Sequence, residues 1–218
     1  MRALTRPLPA RAFGRPARRT VGLLGGSFNP AHAGHRHLAE QALKRLRLDE
    51  IWWLVSPQNP LKSGAGMAPL PVRLASARRF SYHPRMRVTA IETALGTRYS
   101  ADTLCALARR LPRTRFVWLM GADNLAQIAH WERWQSVFFL MPIAVFARIP
   151  YSVNALASKA AIRFARVRRQ ASSARRLAFF EPPAWVFLHT RLHPASATSI
   201  RRARAARRER RAPAQAGR

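Results

Sequence analysis

Apolar residues along the chain gather into six short runs: VGLLGG at 21–26, IWWLVS at 51–56, MRVTAI at 86–91, FVWLMG at 116–121, IAVFAR at 143–148 and WVFLHT at 185–190. Each has the length of a strand. Between them the spacing changes: Leu38, Ala42, Leu43 and Leu46 in 35–47, and Leu104, Leu107 and Ala108 in 101–110, recur at the three-and-four interval of a helix with one buried face. Strands alternating with helices predict βαβ units, hence an α/β fold with a mostly parallel sheet, helices on both faces and right-handed crossovers. The stretch 155–178, rich in Ala and Arg with Ser172 and Ser173 inside it, predicts a basic helix followed by a loop.

A chain of 218 residues and 24.6 kDa is long enough to bury a core without staples. Cys105 is its one cysteine, so neither an intrachain disulfide nor a cysteine-rich zinc site can form, and a reducing compartment, the cytoplasm, is the expectation. No run of about 18 apolar residues is present, which removes a spanning helix. Charge changes the picture more. Lys and Arg number 39 against 9 Asp and Glu, a net +30, and all the basic residues except Lys44, Lys62 and Lys159 are arginine. A GC-rich genome, which inflates Arg and Ala together, and a polyanionic partner both account for this. Residues 1–19 hold six Arg and no acid among Pro7, Pro9, Gly14 and Pro16, and read as a disordered basic arm; residues 203–218 form an Arg-rich tail. One domain over 20–202 lies between them.

In open α/β sheets ligands sit beyond the carboxyl ends of the strands. Directly after the first run comes Gly25-Gly26-Ser27-Phe28-Asn29-Pro30-Ala31-His32-Ala33-Gly34-His35. Paired glycines let backbone approach a ligand closely, and a helix start presents N–H groups and a positive dipole end to phosphate. His32 and His35, three apart, can converge on one anion. A protein-bound metal is disfavoured here because no carboxylate or cysteine lies nearby in sequence. His37 falls out of phase, at the surface.

This segment resembles the GxFxPxHxGH signature of the nucleotidyltransferase superfamily, and Ser196-Ala197-Thr198-Ser199-Ile200-Arg201 resembles its ISxTxIR motif, with Ala195 where the family has Ile. The resemblance implies a Rossmann-like nucleotidyltransferase fold. It also implies that His32, His35 and Arg201 act on the triphosphate, with Gly25, Gly26, Ser27, Phe28, Lys62, Ser196, Thr198 and Ser199 binding ATP. Further segments, Ser56–Lys62, Gly96–Leu104, Gly121–Leu125 and then Trp131 and Trp134, resemble the bacterial nicotinate-nucleotide adenylyltransferase family over nearly all of 20–202.

That resemblance implies ATP and nicotinate mononucleotide as substrates, Mg²⁺ bound with ATP, and a pyridine ring stacked on Trp131. The Tyr99-Ser100 segment and the backbone after Trp131 would hold the ring's carboxylate, with Thr97 also at the mononucleotide, Glu132 turned to solvent and Trp134 in the core. Gly121 and Asp123 would serve the ribose; Asp123 also fits a helix N-cap. Asp102 and Thr103 fit caps, and Arg148 fits either the adenine side or the surface. Two other classes stay open: a sister enzyme acting on nicotinamide mononucleotide or pantetheine phosphate, and a nucleic-acid-binding protein whose basic tails make salt-sensitive, sequence-blind contacts.

Overall fold

The computed structural model describes residues 19–57, 66–147, 152–190, 195 and 197–203. Lys62, Arg148, Ser196, and both basic tails apart from Arg19 and Ala203, lie outside the described residues.

Among the described residues seven strands, β1 (Arg19–Gly26), β2 (Glu50–Val55), β3 (Met86–Thr89), β4 (Thr114–Gly121), β5 (Ile143–Phe146), β6 (Arg168–Arg169) and β7 (Trp185–Leu188), form one sheet in the order β3-β2-β1-β4-β5-β7-β6. Every pairing is parallel. The expected strands are all present, most of them a residue or two shorter at the C-terminal end.

Period-two alternation sorts the central strands between two cores. Phe116, Trp118 and Met120 of β4 join one cluster with α3 (Ile91–Leu95), α4 (Ser100–Arg110), α5 (Ala122–Gln127), α6 (Trp134–Leu140) and α8 (Lys159–Arg163). Val117 and Leu119 join the other, under α1 (Ala33–Leu46), α2 (Leu70–Phe80) and the 3-10 turns of 171–179. Helices therefore cover both faces, as the near-continuous apolar strands require.

The region 155–178 departs from the expected basic helix and loop. Ser158 interrupts it: its Oγ donates to Ala155 O at 2.7 Å and accepts from Ala161 N–H at 3.3 Å, ending α7 (Ser152–Leu156) and capping α8. Arg168 and Arg169 then pair with Trp185 and Val186 as edge strand β6. Alanine's helix preference, a few tenths of a kcal/mol per residue, yields here to a cap and sheet pairing worth about 1 kcal/mol apiece.

Strand order reverses at β1: the chain proceeds from it to β2 on one side, and β4 flanks it on the other. The turns leaving β1 and β4 splay apart there and open a crevice. The glycine-rich turn after β1 and the direct passage from β4 into α5 at Gly121-Ala122-Asp123-Asn124 stand on its two sides.

Candidate active site

The turn after β1 is built around the two histidines. His32 is the N-cap of α1 and only 3% exposed; its Nδ1 accepts from Gly34 N–H at 3.1 Å. His35 reciprocates, its Nδ1 accepting from His32 N–H at 3.2 Å. The pair forms a capping box in which imidazoles replace the usual hydroxyl and carboxylate. This geometry has a chemical consequence. With each Nδ1 occupied as an acceptor, a neutral ring carries its proton on Nε2, so both rings are set as Nε2–H donors. Their centroids lie 3.8 Å apart, close enough for both donors to reach one anion.

Phe28 turns the chain toward this helix with φ of 46°, a left-handed conformation costly for a bulky residue. Its ring compensates by stacking on Trp53 at 5.2 Å and lying 4.9 Å from the His35 ring. Gly25 also answers to packing within the fold. A Cβ there would stand 2.3 Å from Cη2 of Trp118, so the glycine makes room for the indole. At Gly26 the nearest atoms to such a Cβ are those of the Phe28 ring, at 3.4 Å.

The second signature segment comes to the same place. Helix α9 (197–203) sends Arg201 across to the turn after β1, where Nη1 donates to Asn29 O at 2.8 Å while Nη2 contacts Thr198 Oγ1 at 3.3 Å. Ala195 O packs 3.0 Å from where a Cβ on Gly34 would be, so a glycine is needed at that crossing. Residues more than 160 positions apart thus share one corner. Thr198 and Ser199 are exposed on α9.

On the other side of the crevice, Thr97 donates its N–H to Glu92 O at 3.0 Å and its Oγ1 lies 2.8 Å from Thr103 Oγ1. Thr103 Oγ1 also donates to Tyr99 O at 3.2 Å, which braces the 97–99 turn rather than capping α4. Tyr99 is the N-cap of α4 without a side-chain cap bond, and Ser100 is its first helical residue. Asp102 likewise does not cap; it pairs with Arg133. That ion pair ties the 131–134 turn to α4.

Trp131 is half-buried and meets Trp118 edge-on at 6.5 Å, while Glu132 is exposed and Trp134 is buried against Phe138 and Phe164. Gly121 is the N-cap of α5, so the N-cap reading of Asp123 is corrected; Asp123 sits in the helix's first turn.

Two features escaped the sequence reading. Trp118 looked like one more apolar strand residue, yet it lines the floor between Gly25 and Trp131. Segment 66–76, with Arg73, lies beneath the turn after β1; no motif marked it, although a lone arginine among the apolar residues of 70–77 was visible. Among the described residues no group of three or more His, Cys, Asp or Glu could hold a metal ion, and no helix is long and apolar enough to cross a membrane.

Comparison with known proteins agrees with this arrangement. The cytidylyltransferase-like family model matches residues 23–203. A probable nicotinate-nucleotide adenylyltransferase of Cereibacter sphaeroides is 55% identical over 181 residues, covering 83% of this chain and 96% of that protein. One from Parvibaculum lavamentivorans is 53% identical over 83% of this chain and 90% of its own length. Among solved structures, Plasmodium falciparum nicotinic acid mononucleotide adenylyltransferase complexed with NaAD superposes with a TM-score of 0.61 at 14% identity, over 84% of this chain and 83% of that one, a likeness of fold. The chain belongs to the cytidylyltransferase-like family and, within it, to the nicotinate-nucleotide adenylyltransferases.

Proposed function

We propose that the chain joins ATP and nicotinate mononucleotide to give nicotinate adenine dinucleotide and pyrophosphate, with the crevice between the β1 and β4 turns as its active site. The observation that carries the reading is the meeting of the two signature segments, Arg201 on Asn29 O above the His32–His35 helix start.

The reaction is an in-line displacement. The mononucleotide phosphate oxygen attacks the α-phosphorus of ATP, a new P–O bond forms, and the bond to the β-phosphate oxygen breaks as pyrophosphate leaves. Such a transfer needs position and charge stabilisation more than a covalent intermediate. His32 and His35 donate from Nε2 to the oxygens on which charge grows. Arg201 and the α1 helix start bind the same triphosphate, with Ser27, Phe28, Thr198 and Ser199 around it, joined by Lys62 and Ser196 from outside the described residues. Mg²⁺ enters as part of the MgATP substrate, held by phosphate oxygens and water.

On the β4 side, Gly121 and Asp123 bind ribose. Trp131 offers an indole face to the pyridine ring. The N–H groups at the α4 start, beside Thr97, Tyr99 and Ser100, donate to its carboxylate, because the first N–H groups of a helix have no intrahelical acceptor. A net +30 draws in both anions. The substrates are small molecules, and cytoplasmic synthesis of pyridine nucleotides fits them.

Incubating the purified chain with ATP and, separately, nicotinate mononucleotide, nicotinamide mononucleotide or pantetheine phosphate tests the assignment through pyrophosphate release. The first is expected to react fastest; faster turnover of either other acceptor overturns the choice of substrate. With ATP made chiral by sulfur at the α-phosphorus, direct attack gives inversion, and retention would require a covalent intermediate.

A further inference from the structure

Arg73 is 2% exposed, yet its guanidinium contacts four main-chain carbonyls from three separate segments. Nε donates to Ala68 O at 2.8 Å; Nη1 donates to Ser27 O at 2.8 Å and Ser56 O at 2.6 Å; Nη2 donates to Pro57 O at 2.7 Å. Ser27 opens the turn after β1, Ser56 and Pro57 the turn after β2. One helical turn along α2, Ser76 Oγ accepts from Ala31 N–H at 3.2 Å, immediately before His32. Asn29 Nδ2 donates to Gly66 O at 2.9 Å, and Asn29 Oδ1 accepts from Ala68 N–H at 3.2 Å. The five residues from Ser27 to Ala31 are thus held at both ends and in the middle by 66–76.

Beside this fork stands Glu92, 6% exposed, with a hydrogen bond from Ser56. Burial pushes its carboxyl above the usual range, and the Ser56 hydrogen bond and the Arg73 charge pull it back. Burial likewise lowers Arg73, with Glu92 opposing. A buried guanidinium is costly, and a fold that needed only volume here would be served by Met or Leu. All four carbonyls belong to turns at the crevice or to the approach to α2, none to a strand interior. Only a planar fork of five donors can bond them together; the compact ammonium of lysine cannot span them.

We propose that Arg73 is the positioning residue of the triphosphate turn, fixing the distance between the turns after β1 and β2 so that the His32–His35 helix start is formed before ATP arrives. The proposal rests on the adenylyltransferase reading for its substrate. Arg73 touches no substrate and works through Ser27, Ser56 and Pro57. Glu92 extends the frame: its main-chain O accepts from Thr97 N–H, so the turn assigned to the pyridine carboxylate is referred to the same hub.

Arg73→Lys keeps the charge beside Glu92 and part of the bonding, so the chain is expected to fold. Affinity for α,β-methylene-ATP and kcat should each fall about tenfold or more, since a displacement of about 1 Å in a reacting group costs up to about a hundredfold. The KM for nicotinate mononucleotide should move less, and circular dichroism should be unchanged. ATP-analogue affinity and kcat both within about twofold of wild type overturn the proposal, as does a lowered Tm with unchanged kinetic constants, the signature of a merely structural role. Ser76→Ala should move the same constants in the same direction by less.

A measurement on the unliganded wild-type chain stands apart from any folding defect. Amide hydrogen exchange should show Ala31 and Ser56 protected without nucleotide, and exchange at free-loop rates would overturn the proposal even if Arg73→Lys failed to fold. Wild-type turnover with a different acceptor would strike the choice of substrate and leave the protection result standing.

Discussion

On the phosphate side of the crevice, the turn after β1 is clamped by a guanidinium that is 2% exposed and bonded to four carbonyls. On the pyridine side, the 131–134 turn is tied to α4 by the Asp102–Arg133 pair, whose side chains keep 37% and 45% of their exposure. Buried charge-assisted bonds act in a low dielectric and are barely screened, whereas a half-exposed ion pair is weakened by water and salt. On the proposed assignment, the half that would stabilise transition-state charge is clamped by buried bonds before substrate arrives, and the half that would recognise a ring is held by a weaker, exposed pair. Substitutions on the first side should cost more than those on the second.

The largest effect is expected at the histidines. On the proposed mechanism, His32→Ala or His35→Ala would remove a donor to charge that grows during the reaction, and it breaks half of the reciprocal cap, so kcat should fall about a hundredfold or more. Replacing His35 by Asn, whose side chain can still accept from the His32 N–H, separates the two losses. The asparagine variant should recover the thermal stability lost in the alanine variant and recover little of kcat. Full recovery of turnover would mean that the cap, not the donor, is what the rate depends on.

Next in size is Gly25→Ala, which brings a methyl group onto the rigid Trp118 ring between the two halves. Overpacking of this kind costs about 1–3 kcal/mol, read as a lower Tm. Combining it with Trp118→Leu should return part of that stability. A double variant no more stable than Gly25→Ala alone would show that the indole is not what Gly25 accommodates.

These positions also show what was legible in the sequence. The six strands, α1 and α4 followed from periodicity, because strands buried on both faces leave long apolar runs. Both signature segments were readable because the anion binding proposed at these helix starts needs particular residue types at fixed spacing, and Arg201 meeting Asn29 O joins them across the fold. The 66–76 clamp was not, since Arg73 acts on carbonyls that any residue supplies and so leaves no pattern in Ser27, Ser56 or Pro57. Edge strand β6 is two residues long and takes its geometry from β7, which local composition does not encode. Gly25 was readable as a required glycine, but the room it makes for Trp118 was not, because that contact lies on another strand.

A smaller effect should separate stacking from charge recognition on the pyridine side. Ser100 is the first helical residue of α4, a position where proline keeps the helix and deletes only an N–H, and Tyr99 before it already has the extended conformation that proline requires. Nicotinate's carboxylate accepts at both oxygens, whereas the amide would set an NH₂ against an N–H. Ser100→Pro should therefore erode the acid-over-amide ratio in kcat/KM by about tenfold, the scale of one unsatisfied polar group. Trp131→Ala should lower kcat/KM for both mononucleotides with the ratio kept. The opposite pattern would exchange the two roles.

The smallest effect should come from the ion pair itself. Arg133 has φ of 49° and follows Trp131 by two residues, so its side chain holds a backbone turn that few non-glycine residues adopt. Asp102→Asn leaves a hydrogen-bond acceptor near the guanidinium and removes the charge, and an exposed pair of this kind contributes about 1 kcal/mol or less. Tm should barely change. KM for nicotinate mononucleotide should rise about two- to fivefold because the turn carrying Trp131 samples more positions, and the KM for ATP, bound to the clamped side, should stay put. Salt gives a second reading of the same pair: with each constant measured at low and high ionic strength, the mononucleotide KM of wild type should drift toward that of Asp102→Asn, while that variant drifts less. If salt shifts the two proteins equally, the pair does not hold the turn, and the adjustable character of the pyridine side has another source.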